Sequence, residues 1–249
     1  MKRLLPHAPL FLAALLVVLN GAVWFTLVSE TRAGVLTVAF LDIGQGDSIF
    51  IESPTGTQVL IDGGPNSFVL RELGEVMPLY DRSLDVVIAT HPDMDHIGGL
   101  IDVIDRYEIP LFVHPGAETD TGAYDSLMAK VEQEKIPTVL ARRGMVINLG
   151  GGAHLDILFP DRDPKGMETN DASIVARLVY GETEVMLTGD SPEKIELYLL
   201  TLGGNLKSDV LNAGHHGFRT STSDVCGAAL DREYAAISLG KDNTYGHPH

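Results

Sequence analysis

Thr90-His91-Pro92-Asp93-Met94-Asp95-His96 follows the apolar run 84–89 (LDVVIA) directly and precedes Gly98-Gly99. Four potential ligands, His91, Asp93, Asp95 and His96, fall within six residues. The run before them reads as a short buried strand, and proline and glycine bracket the segment, so it is expected as a shaped loop at a strand end. A loop can turn several short side chains to one side, where a regular strand alternates them. Imidazole and carboxylate together suit divalent transition metals such as zinc, manganese or iron. A solvated acidic turn is the plain alternative. It accounts for a lone histidine better than for H-x-D-x-D-H after a buried strand.

Further candidates recur where apolar runs end. Asp190 follows the run 184–188 in Leu187-Thr188-Gly189-Asp190. A glycine before an aspartate at a strand end suits close approach to a bridging metal position; a carboxylate near a helix start beside Ser191 is the alternative. His215-His216-Gly217 follows 209–211, where adjacent histidines fit ligation, hydrogen bonding to a substrate oxyanion, or a structural loop pair. Gly246-His247-Pro248-His249 follows 235–239, with a frayed tail as its plain reading. Asp62, in Ile61-Asp62-Gly63-Gly64, reads as a turn or supporting carboxylate rather than a ligand.

Around these sites, residues 35–41, 48–53, 58–61, 84–89, 111–113, 139–141, 155–159, 174–180, 184–188, 209–211 and 235–239 read as strands. Residues 98–107, 124–135 and 192–202 read as helices, the last with Ser191 as N-cap and Pro192 at its first position. Strands mixed with helices in both halves argue an α/β fold with helices covering sheets. A weak internal echo runs through it. Ser48-Ile49 opens a hairpin with Gly56 at its turn and Asp62-Gly63 at its end. Ser173-Ile174 opens another, with Gly181 at its turn and Gly189-Asp190 at its end. Two similar halves facing each other would bring both hairpin ends to one cleft.

Residues 8–28 carry no charge, roughly the length that crosses a bilayer core as a helix. Lys2 and Arg3 precede them, which favours a cytoplasmic N-terminus and a domain outside the cytoplasm. The length, and the lack of a small-x-small cleavage site before Ser29, favour a single-pass anchor over a signal peptide. Residues 1–33 are therefore expected as anchor and short linker. The formal net charge of the 249 residues is -16. Up to Ala33 the charged residues are Lys2, Arg3, Glu30 and Arg32, so the acid excess belongs to the rest. Such a surface repels polyanions, which argues against tight DNA binding by charge alone. Cys226, the one cysteine, excludes an internal disulfide and a zinc site made of thiolates.

The order Asp62-Gly63-Gly64, His91-x-Asp93-x-Asp95-His96, Gly189-Asp190, His215-His216-Gly217 and Tyr245-Gly246-His247-Pro248 resembles the metallo-β-lactamase superfamily. More narrowly, Phe40-Leu41-Asp42-Ile43-Gly44-Gln45-Gly46-Asp47-Ser48, Asn170-Asp171-Ala172-Ser173 and Ala213-Gly214-His215-His216-Gly217 resemble the hydrolase domain of ComEC-type competence DNA-uptake proteins. The resemblance spans about residues 35–249. It implies a metallo-β-lactamase-like αββα sandwich over 34–249, preceded by one transmembrane helix. It also implies two divalent metal ions, manganese or zinc. His91 and Asp93 would hold the first, Asp95 and His96 the second, joined by His247, with Asp190 bridging both. Aspartate at 93 replaces the histidine usual in the superfamily and softens the preference for zinc. A histidine ligand that other members carry before the bridging aspartate is absent, and Asn170 is the candidate to fill its place.

The implied reaction is hydrolysis by a metal-activated water, with two cations about 3.5–4 Å apart. Asp95 would act at the metals, and His216 or His215 would donate to a phosphate oxygen or protonate the leaving group. Full-length competence proteins carry a multi-helix channel, whereas this chain has room for one span. A separate channel protein is thus an expected partner, with single-stranded DNA or a small phosphodiester as substrate. Relatives continue past the His-Pro motif with a further strand and helix, which leaves a fragment or an unusually short domain as readings. The resemblance puts a phosphodiesterase of the DNA-uptake type first. A cell-surface hydrolase of small phosphodiesters or esters, and a non-catalytic membrane-tethered metal-binding module, are its rivals.

Overall fold

The computed structural model describes residues 8–30, 34–203, 206–219, 221–241, 243, 246 and 248. By their internal contacts they form two compact units, Met1–Ala33 and Gly34–His249. In the first, α1 (Ala8–Glu30) is long and apolar enough to cross a membrane, with mean hydropathy 2.1 over Ala8–Phe25. A membrane anchor and a signal sequence both have this character. Asn20, the polar break in the run, donates its side-chain amide to the Leu16 carbonyl at 2.9 Å, so the helix satisfies it internally. Most of the expected linker, from Thr31 on, lies outside the described residues.

The second unit begins with β1 (Thr37–Phe40), β2 (Ile49–Glu52) and β3 (Gln58–Ile61), which pair antiparallel. After α2 (Phe68–Val76), the strands β4 (Val86–Ile88), β5 (Phe112–His114) and β6 (Thr138–Leu140) add in parallel, in the sheet order β1 to β6. Their crossovers hold α3 (Met94–Ile97), α4 (Leu100–Arg106) and α5 (Gly122–Gln133). The second sheet repeats the scheme. β7 (Val146–Gly150), β8 (Ala153–Phe159), β9 (Val175–Tyr180) and β10 (Thr183–Leu187) are antiparallel neighbours. After α6 (Glu193–Thr201) comes parallel β11 (Val210–Asn212), and after α7 (Asp224–Leu230) comes parallel β12 (Tyr234–Ala236).

Period-two patterning builds three apolar layers from these strands. Ile49, Ile51, Val59, Ile61, Val86 and Ile88 meet Leu155, Ile157, Ala176, Leu178, Val185 and Leu187 between the sheets. Phe50, Leu60 and Val87 point the other way, against Leu73, Leu100, Val103 and Leu127 of the first helical layer. Val175, Met186 and Leu211 face Ile195, Leu199 and Leu230 of the second. Strands buried on both faces explain why their sequences read as near-continuous apolar runs. The αββα sandwich expected from the sequence is the fold observed.

Four elements were not anticipated: α2, α3, α7 and β7. One boundary also moves. The N-cap of α6 is Pro192, in extended conformation, and the Ser191 hydroxyl is buried without a hydrogen bond instead of capping.

Candidate metal centre

Both halves deliver their polar residues to the same edge. Leaving β4, Thr90 O accepts from Ile174 N of the second half at 2.9 Å. His91 and Pro92 follow in irregular backbone, and Asp93 is the extended N-cap of α3. The expected loop is therefore half loop and half helical turn, and the turn lifts Asp95 and His96 beside His91. In the second half Gly189 has φ +50, and its Cα packs where a Cβ would press on Thr90. That close approach sets Asp190 against the histidines. Beyond β11, His215 and His216 both take left-handed backbone, φ 50 and 54, at a cost of about 1–3 kcal/mol each.

The distances describe one cluster. His96 Nε2 is 3.2 Å from Asp190 Oδ1. Asp190 Oδ2 lies 3.9 Å from His91 Nε2, 3.8 Å from His215 Nε2 and 3.7 Å from His216 Nε2. His216 Nε2 is 3.3 Å from Asp95 Oδ2. Behind them sits Asp62, itself strained at φ 58. Its carboxylate accepts from Thr90 N at 2.8 Å and Thr90 Oγ1 at 2.6 Å, and pairs with His96 Nδ1 at 2.8 Å. With its Nδ1 committed to Asp62, His96 presents Nε2 to the cluster.

Three buried atoms there, His91 Nε2, His96 Nε2 and Asp190 Oδ1, make no hydrogen bond. The 3.2 Å approach of the last two lacks the alignment a hydrogen bond needs. Leaving such groups unsatisfied costs about 1–3 kcal/mol each, more when charged. Nitrogen and oxygen donors converging without partners are what a divalent cation requires. Among the described residues, two groups of mutually close ligand atoms form: His91, His96 and Asp190, and Asp95, His96 and His216. They share His96, whose single remaining ring nitrogen can serve one cation. Asp190 turns its two oxygens to different histidines, Oδ1 to His96 and Oδ2 to His91, His215 and His216.

The electrostatics of the metal-free cluster follow. Burial pushes the His91 imidazole down to about 4, helped by neighbouring His96. Burial opposes charge on His96 too, but Asp190 and Asp62 outweigh it and hold the ring well above its ordinary value. His216 is likewise pushed down by burial and then up, to about 10, by Asp47 and Asp95. For Asp190, burial is outweighed by the imidazoles, chiefly His96, which hold it well below the carboxylate range. Burial is also outweighed at Asp95, where the hydrogen bond to His216 brings the carboxyl to about 2.

Of the residues singled out in the sequence, His91, Asp95, His96, Asp190, His215 and His216 come together here. Asp93 lies at the rim, 37% exposed, with Oδ2 3.7 Å from His91 Nε2, and belongs to neither group. Asn170, on a short 3-10 turn, accepts from Thr169 Oγ1 at 3.4 Å and also belongs to neither. His247 lies outside the described residues. His216, expected as a donor to substrate, is buried, with Nε2 in the second of the two groups. His215, 30% exposed, is the one that faces outward.

A two-sheet sandwich with His and Asp gathered at one edge defines a class of metal-binding αββα proteins. The chain belongs to the metallo-beta-lactamase superfamily, whose family model matches residues 41–241. Within it the chain is related to competence proteins. It is 31% identical to ComE operon protein 3 of Bacillus subtilis over 85% of this chain and 29% of that protein. It is 32% identical to competence protein ComA of Neisseria gonorrhoeae over 85% of this chain and 28% of that protein. The chain thus spans under a third of the length of these relatives. Among solved structures, Igni18, a metallo hydrolase from Ignicoccus hospitalis, superposes with TM-score 0.51 at 14% identity, covering 80% of each chain. Rm3 metallo-beta-lactamase does so at TM-score 0.50 and 16% identity, over 81% of this chain and 91% of that one. At such identities the likeness shows the fold.

Proposed function

We propose that the domain is a metal-dependent phosphodiesterase that cleaves nucleic acid strands. The observation that carries the reading is the convergence of His91 Nε2, His96 Nε2 and Asp190 Oδ1, buried and without hydrogen bonds. The kinship with competence proteins supports a nucleic acid substrate. When bound, divalent manganese or zinc would supply a Lewis acid that activates water and polarises a phosphoryl oxygen. His91, His96, Asp95, His216 and Asp190 would hold it. Asp62 and Thr90 keep His96 in one tautomer and orientation. His215, the more exposed of the adjacent pair, donates to a phosphate oxygen and protonates the leaving oxygen as the phosphorus–oxygen ester bond breaks.

In this reading α1 anchors the protein with the domain outside the cytoplasm, Lys2 and Arg3 remaining inside. The net charge of -16 makes capture of DNA from solution inefficient. The strand is therefore delivered single-stranded by a separate channel protein. The same charge favours a second reading, a hydrolase of small phosphodiesters or esters. Manganese-loaded full-length protein is expected to cut single-stranded DNA, and Asp95→Ala to abolish the activity. Parent that hydrolyses bis-p-nitrophenyl phosphate but leaves DNA intact selects the second reading. Cleavage of DNA unchanged in Asp95→Ala rejects this site.

A further inference from the structure

The segment from Leu41 to Ser48 has no part in the chemistry above, yet it threads the centre. A Cβ on Gly46, whose φ is +113, would strike the Asp95 carbonyl, so the strap lies directly on the metal loop. Gln45 Oε1 accepts from Gly240 N at 3.3 Å. Asp47 O accepts from Gly64 N at 3.0 Å, and Ser48 Oγ donates to Asp62 O at 3.0 Å. The strap thus touches both halves.

Its one buried charge is Asp47, 2% exposed. A carboxylate in that position needs hydrogen bonds and an opposing charge. Asn212 Nδ2, at the end of β11, donates to Asp47 Oδ2 at 2.9 Å. Asp47 Oδ1 lies 3.6 Å from His216 Nδ1, which donates to Ser238 O at 3.0 Å. That ring nitrogen is therefore flanked by a carbonyl and a carboxylate. With Nδ1 so placed, Nε2 faces Asp95 Oδ2 at 3.3 Å.

We propose, on the metal-site reading above, that Asp47 is a positioning residue. Anchored by Asn212, it fixes the His216 ring with Nε2 toward Asp95 and His96, and so completes one of the two cation sites. The Ser238 carbonyl sets the tautomer of His216, and the Asp47 carboxylate beside that nitrogen holds the ring's orientation and raises its basicity by its charge. Asp62 backs His96 through a 2.8 Å hydrogen bond, whereas Asp47 backs His216 as a charge 3.6 Å from Nδ1, beside the Ser238 carbonyl that accepts from it. The effect is selective: the ion held by Asp95 and His216 depends on Asp47, and the ion held through His91 does not.

The test counts bound Mn²⁺ per full-length chain as free Mn²⁺ is raised, reading the free ion by electron paramagnetic resonance. Parent protein is expected to bind two ions. Asp47→Asn, isosteric but uncharged, should keep the first and weaken the second by about ten- to a hundred-fold. Asn212→Ala leaves the charge but removes its anchor, and should weaken the second ion in the same direction by less. If Asp47→Asn does not fold, Asn212→Ala decides alone. Two parent-like ions in the folded variants overturn the positioning role, as does an equal loss of both ions. A parent that binds no Mn²⁺ overturns the metal-site reading itself.

Discussion

Asp62 and Asp190 close equivalent hairpins in the two halves of the domain, β2–β3 and β9–β10, and their surroundings differ. Each hairpin is followed by a parallel strand, β4 or β11, that ends in histidines. Asp62 is enclosed by Thr90 N, Thr90 Oγ1 and His96 Nδ1 and has no capacity directed at the cluster. Asp190 keeps Oδ1 without a hydrogen bond and turns both oxygens to imidazoles. The same place in a repeated topology holds a hydrogen-bonded support in one half and, on the proposed reading, a metal ligand in the other. Hydrogen-bond satisfaction separates the two roles where position cannot.

That contrast can be broken most severely at Asp190. Asp190→Ala should lower metal affinity by more than about a hundred-fold, beyond the range of an outer support, in elemental analysis after desalting. Asp62→Asn should cost about ten- to a hundred-fold and regain full loading at high metal concentration. A larger loss at Asp62 than at Asp190 would reverse the assigned roles.

The mildest test is pH dependence of the chelator-treated chain. His216 is raised to about 10, so its contribution is complete below 6.5 and fades as pH rises through 10. His96, also raised, acts in the same direction. His91 is lowered to about 4, so stability falls as pH drops from 6.5 through that value. Asp95, lowered to about 2, and Asp190, lowered further, take away more as pH falls below 3.8. Urea midpoints of metal-free protein should therefore peak near pH 6.5. Added metal should move the peak upward, because it replaces protons on His96 and His216. A flat profile would sink this assignment of charges.

The metal loop was legible because His91, Asp93, Asp95 and His96 crowd after an apolar run, a pattern few structural demands produce. The hairpin echo was legible because Gly56 and Gly181 sit at φ 89 and 61, positions that favour glycine. The division of labour was not. Nothing in the spacing tells that His216 is buried, that Asp93 is at the rim, or that Asp47 stands behind an imidazole about 170 residues away, since such pairing exists only once the sheets stack. Helix α2 escaped because only Val69 and Leu73 of its short span are buried. β7 escaped because most of it is exposed, so its alternation is faint.

The central claim is that the two halves meet in one buried centre built to hold divalent cations. Anomalous scattering from crystals of the protein soaked in Mn²⁺ tests it most directly. Two peaks are predicted, both bonded to Asp190, one beside His91 and one among Asp95, His96 and His216. Strong peaks confined to the exposed acids, with none at Asp190, would contradict the account.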